Sequence, residues 1–342
     1  MKKKLIIIIS FLLLIYDGFS QSFKYRIVPS YYRNKITNSV NYNFSENSID
    51  LTNYLPKGYV KDGTKDYTIY LQKGLDENRN IVFPNFPVLI NDSGLNLSSN
   101  SNIYFDKMSK LILKPSSKGS YQMLRVFGKS NVNIINPTLI GDRDYHKGNS
   151  GEWGMGISIS GSSNITISGA NISKCWGDGI YIGHRNVSSR NLIVSNSIID
   201  NNRRNGISVI SVSGLHVSNL VISNTNGTNP NSGFVIEPNG VENVIENVVV
   251  ENLYTFNNKI NGVFVHLNKL ISEEGKITSI SFYDSEDNFS NTPIRVTSSY
   301  KGKSNKMKPI KGEVKFQNFK SKNNKGKSVF NKSEYAPSYI IN

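Results

Sequence analysis

Between Gly141 and Ile157 the chain reads GDRDYHKGNSGEWGMGI, its densest group of side chains able to move protons or hold charge. Asp142, Asp144 and Glu152 supply carboxylates, Arg143 and Lys147 cations, His146 an imidazole and Trp153 a broad apolar ring. A second group, CWGDGIYIGHR, brings Trp176, Asp178, Tyr181, His184 and Arg185; NNRRNGISV brings Arg203 and Arg204; GFVIEPN brings Glu237. Two carboxyl groups facing one bond suit glycosidic hydrolysis, one giving a proton to the leaving oxygen and one activating water or attacking. Asp142, Glu152, Asp178 and Glu237 are the candidates, with His146 as a further acid or base. Arginines fork to carboxylates or sulfates, and indole rings stack on sugar faces. Arg143, Trp153, Trp176, Tyr181, His184, Arg203 and Arg204 are therefore candidate substrate contacts.

Residues this far apart meet only if the backbone repeats, and it does. Glycine followed by apolar, any and apolar residues recurs at Gly156, Gly179, Gly206, Gly233 and Gly262, with Pro293-Ile294-Arg295-Val296 as a weaker sixth copy. Each interval holds further alternating runs, such as Asn164-Ile165-Thr166-Ile167 and Gly214-Leu215-His216-Val217. Alternation places one set of side chains inside and the other outside. Two or three short strands per repeat, with Asn, Gly and Ser between them, predict one coil of a parallel β-solenoid. Coils stacked about 4.8 Å apart would align the reactive groups as one groove. The stretch Asp66 to Glu77 is amphipathic and predicts a short N-terminal helix capping the first coil.

The repeat, and the order of polar loop, helix, strand and proline turn in KDGTKDYTIYLQKGLDENRNIVFPNFPVLINDSGLNLSSNSNIYF, resemble the right-handed parallel β-helix of the pectate-lyase-like superfamily. The resemblance covers roughly 61–296 and implies an all-β fold shared by lyases, hydrolases, epimerases and adhesive proteins. WGDGIYIG and RRNGISV are loosely similar to polygalacturonase motifs. Gly179 follows Asp178 where that family pairs two aspartates, Asn205 stands in place of its histidine, and no Arg-Ile-Lys motif follows, so its mechanism is not carried over.

Each candidate also has a plain structural role open to it. Asp178, Asn205, Ser232 and Asn261 all precede a repeat glycine, the pattern of a polar ladder at a solenoid corner. Glu237 and His266 fall on the same outward position of successive coils. Asp142 and Arg143 can brace their loop as a pair, and Trp153 and Trp176 can pack on one another. Arg203 and Arg204 are adjacent, so in extended chain they point to opposite sides.

The ends and the bulk charge set the setting. Lys2 to Lys4, the apolar run Leu5 to Ile15, and Gly18 and Ser20 predict a signal peptide at 1–20, cleaved near Ser20. The run is too short to span a bilayer, so the expectation is a secreted or periplasmic protein without membrane insertion. The formal charge is +15, which favours polyanions, and export favours an anionic polysaccharide over nucleic acid. Cys175 is the only cysteine, which excludes an internal disulfide and predicts a small buried apolar residue. The β-helix domain is expected over 21–300, followed at 301–342 by a Lys-rich last coil or tail.

These readings converge on an exported carbohydrate-active protein that cleaves an acidic polysaccharide by hydrolysis, because four carboxylates converge on the groove. Two alternatives stand beside it. A uronate lyase would use Arg143, Lys147, Arg203 or Arg204 to neutralise the sugar carboxylate, and His146 or an arginine as base. No cofactor or metal is required for hydrolysis; calcium would enter with a lyase, through Asp142, Asp144 or Asp178. A non-catalytic glycan-binding solenoid would use the same groove as a clasp.

Overall fold

The computed structural model describes residues 23–36, 47–300, 302 and 306–342. The expected signal segment, 1–20, lies outside them. The chain winds as a parallel β-helix: almost every strand pairs in parallel with the strands one coil before and one coil after it. Three columns of inward side chains fill the coil. Ile157, Ile180, Ile207, Phe234, Val263 and Ile294 stack in register on one face. Ile165, Leu192, Leu215, Val248, Ile280 and Val314 stack on a second. Leu139, Ile172, Ile199 and Ile222 form the third, which turns polar at Thr255 and Asp287. These columns are one continuous buried core, the feature a single coil cannot build alone.

The glycine that marks each repeat has a steric cause. A Cβ on Gly206 would lie 2.1 Å from Cγ2 of Ile222 and 2.7 Å from the carbonyl of Gly233. The same conflict, with the third column and with the carbonyl one coil on, recurs at Gly156 and Gly179. The chain therefore enters this sheet where only hydrogen fits.

Asparagines make the corners. Asn100, Asn131, Asn164 and Asn191 all have φ between 54° and 57°, the left-handed region asparagine tolerates best after glycine. Their amides bond from coil to coil: Asn131 to Asn100 at 2.8 Å, Asn164 to Asn131 at 2.9 Å and Asn191 to Asn164 at 3.1 Å. Asn196, Asn219 and Asn252 repeat the device at a second corner.

The helix Thr68–Glu77 buries Leu71 and Leu75 in the core beside Leu51 and Ile81, so it closes the first coil. At the other end, strands Lys311–Gln317 and Ser338–Ile341 stack in register on Ile277–Tyr283 and on each other. The Lys-rich segment thus continues the solenoid, with Val314 and Phe316 buried and its lysines outward. Residues 23–36 lie against a third corner of the later coils. Tyr32 donates to Glu286 at 2.7 Å, and Val28, Tyr32 and Ile36 pack on Val221, Tyr254 and Phe256. Among the described residues no helix is long and apolar enough to cross a membrane.

Candidate active site

The strand Asn205–Val209 is preceded by Arg204, whose side chain gathers three carboxylates from three other coils. Its guanidinium is 3.0 Å from Asp178, 3.5 Å from Glu237 and 3.7 Å from Glu152. Arg204 is 11% exposed and Asp178 not at all, whereas Glu152 and Glu237 keep 33% and 27% of their side-chain surface in solvent. The cluster therefore has a sealed floor and two open carboxylates above it.

Asp178 is fixed from both sides. Its second oxygen accepts the backbone N–H of Asn205 at 3.0 Å, and the Asn205 side chain in turn accepts the N–H of Ser232 at 3.2 Å. The ladder before the repeat glycines exists, and Asp178 is the member that also meets a charge. Burial pushes the Asp178 carboxyl up, against Arg204, Ser208 and the Asn205 N–H, which pull it down. Burial also pushes Glu237 up; Arg204 opposes, and the negative charges of Asp178 and Glu152 reinforce the rise. For Arg204 burial works against the charge, yet Asp178, Glu152 and Glu237 outweigh it and hold the guanidinium above its ordinary value. Tyr181 lies one coil before Ser208 on the same outward row, its hydroxyl raised by burial and by Asp178.

Asp142 and His146 form a separate pair. Asp142 is buried and accepts from the Ser116 N–H at 2.8 Å, from the Tyr121 hydroxyl, and meets His146 Nδ1 at 2.8 Å. Burial beside Asp142 keeps the Tyr121 phenol protonated. The His146 ring has no exposed surface and stacks on Trp176 at 3.8 Å between centroids. Arg203 lies over the same indole, also at 3.8 Å, and donates to the Gly151 carbonyl at 2.8 Å. Two groups so close to one ring need opposite faces, so Trp176 is sandwiched.

Arg143 donates to the carbonyl and side chain of Asn201 and to the side chain of Asn226, crossing three coils. Lys174 holds Asp144 at 2.6 Å. The loop 141–152 is thus clamped across neighbouring coils, and its far end delivers Glu152 to Arg204. Trp153, next in sequence, stands 49% exposed at the start of the strand Trp153–Ser160. His184 is the penultimate residue of the strand Ile180–Arg185, half-buried, with Ser188 opposite it across a tight antiparallel hairpin. Cys175 is buried, and burial pushes its thiol up, which leaves it inert. Among the described residues no three His, Cys, Asp or Glu side chains are placed to hold a metal ion.

No family model matches the chain. The uncharacterized protein YclG of Bacillus subtilis is 29% identical over 165 residues, which is 44% of this chain and 28% of that protein. The chain therefore spans little more than a quarter of that relative. A polygalacturonase from Erwinia carotovora ssp. carotovora superposes with a TM-score of 0.52 at 14% identity, covering 83% of this chain and 95% of that one. An iota-carrageenase complexed to iota-carrageenan fragments gives 0.52 at 14% identity, over 78% and 59%. The fold is that of the pectate-lyase-like parallel β-helix proteins.

Within that β-helix, Glu152, Asp178, Arg204 and Glu237 come together, and Asp142 and His146 are held apart beneath Trp176. Sequence reasoning did not single out Tyr121, Ser116 or Ser208. Tyr121 and Ser116 lie one coil before the reactive loop, in a segment with no carboxylate or imidazole to draw notice. The parity of adjacent residues was the usable signal for the arginines: Arg204 faces the carboxylates and Arg203 the indole.

Proposed function

We propose that this protein is an exported enzyme that hydrolyses an anionic polysaccharide, with Glu237 as proton donor and Glu152 as base. The observation that carries this reading is the Arg204 cluster, in which two part-exposed carboxylates share one guanidinium above a buried aspartate. Both touch the same planar group, so they lie no further apart than the roughly 9.5 Å that carboxyl pairs of inverting glycosidases span. In the step proposed, Glu237 gives its proton to the glycosidic oxygen as the bond from that oxygen to the anomeric carbon breaks. Glu152 takes a proton from water as the water oxygen bonds to that carbon. Burial raises the Glu237 carboxyl above its ordinary value, which favours the protonated form a donor needs, and the pinned Asp178 keeps Arg204 in place between the two.

Two proteins of the same fold are, by name, a polygalacturonase and an iota-carrageenase bound to iota-carrageenan fragments, which supports polysaccharide as the substrate class. The formal charge of +15 supports an anionic one. Against elimination stands Arg204 itself: its charge is matched by three carboxylates and its proton is held more tightly than usual, so it is a poor base. The test is incubation with acidic and neutral polysaccharides, following reducing ends and ultraviolet absorbance together. Hydrolysis gives reducing ends at flat absorbance. Rising absorbance assigns a lyase, and no product from any glycan assigns a clasp.

A further inference from the structure

Away from the carboxylate cluster, residues 23–26 and the third corner of the later coils enclose a cleft of about 980 Å³. Lys24, Arg26, Lys259 and Lys325 line it, and no acidic residue does. Among the described residues none of these four cations is paired with a carboxylate. The backbone around them is fixed. Asn224 exchanges two bonds with Arg26, at 3.1 and 3.0 Å, and Asn257 donates to the Lys24 carbonyl at 3.0 Å. The Arg26 guanidinium lies over Phe289 at 4.3 Å, so one wall pairs a cation with an aromatic face. Register places Lys259 in line with Arg203, two coils further on, and Lys325 in line with Arg204, four further on.

We infer that this cleft is a second glycan site, which takes a segment of carboxylate- or sulfate-bearing sugar chain. Four unmatched cations held around one concavity repel one another, and a polyanion relieves that repulsion. The volume is at the upper end of the roughly 300–1,000 Å³ of ligand sites. Tyr25, 46% exposed, gives a sugar ring an apolar face, and the exposed Asn291 amide suits a hydroxyl group. The identity of the ligand as a sugar rests on the polysaccharide reading above; the preference for negative charge does not.

The test is titration calorimetry of the full chain with oligogalacturonate and iota-carrageenan oligosaccharides, a neutral glucan oligosaccharide, and single-stranded DNA of matched charge. The variants are K259E/K325E and, as control, K57E/K107E, all at exposed positions, each compared with its parent in an E237Q background so that no oligosaccharide is turned over. The expectation is that an anionic oligosaccharide binds, that salt weakens it, and that K259E/K325E lowers its affinity at least tenfold while K57E/K107E leaves it unchanged. Unchanged binding in K259E/K325E overturns the proposal, as does equal affinity for the neutral glucan or tighter binding of DNA. Because binding is read without turnover, loss of the hydrolase reading leaves this result standing.

Discussion

The Arg204 guanidinium lies 3.0 Å from Asp178, a carboxylate of the preceding coil with no exposed surface. The pair is a charge bridge between coils, and each partner's burial depends on the other. Arg204→Met leaves Asp178 buried without its counter-charge, at a cost of about 3–5 kcal/mol. Denaturant unfolding of R204M checks this, and R204M/D178N is expected to regain a large part of the loss. If R204M unfolds like the wild type, the pair is not holding the coils.

Asp287 sets a pH dependence at the far end of the solenoid. It is buried, accepts from Thr255 and Ser290 at 2.6 Å each and from Asn324, and burial pushes its carboxyl up to about 7, against those three hydrogen bonds. A folded-state value above the unfolded one means the folded chain holds the proton more tightly. Stability is therefore fully present below about pH 4 and lost as pH rises toward 7, by a few kcal/mol. The slope of unfolding free energy between pH 4 and 7 should flatten in Asp287→Asn. An unchanged slope in that variant contradicts this assignment.

The repeat glycines give a purely steric prediction. Gly206→Ala drives a methyl group into Ile222 and the Gly233 carbonyl, which should cost about 1–3 kcal/mol. Ile222→Ala, which removes that Cγ2, should cost less in the Gly206→Ala background than in the wild type. Thermal unfolding of the single and double variants measures both.

The fold was legible because its causes are local and repeated. A Cβ conflict at successive entries to one sheet, from Gly156 to Gly206, writes glycine at near-regular spacing, and left-handed corners elsewhere in the coil write asparagine. The Asn-x-Ser/Thr triplet at Asn164 belongs to that corner ladder. The site was only partly legible, because it depends on which side of a coil each residue faces. Parity separated Arg203 from Arg204, but nothing local distinguished the sealed Asp142 from the open Glu152, ten residues apart in one loop. That difference comes from Tyr121, Ser116 and Trp176 on neighbouring coils. The packing of residues 23–36 on the third corner left no mark either, since its partners lie some two hundred residues away.

Trp176 links the clamped loop to the cluster. Trp176→Ala removes the ring between His146 and Arg203 and so loosens the loop that carries Glu152. Amide exchange across 143–152 is expected to quicken, with turnover falling about tenfold. Unchanged exchange would place the loop's rigidity in Arg143 and Lys174 alone.

The most direct test of the central claim compares Glu237→Gln with the wild type on two substrates. One is the polysaccharide that the wild type cleaves, whose leaving group is a sugar hydroxyl; the other is an aryl glycoside of the same sugar, whose leaving group needs no proton. A proton donor at Glu237 predicts a loss of about 10²–10⁴ in kcat on the polysaccharide, a much smaller loss on the aryl glycoside, and disappearance of the alkaline limb of the pH profile. The raised value of Glu237 places that limb above the ordinary carboxylate range. Equal losses on both substrates, or none on the polysaccharide, would contradict the assignment of Glu237 as the acid.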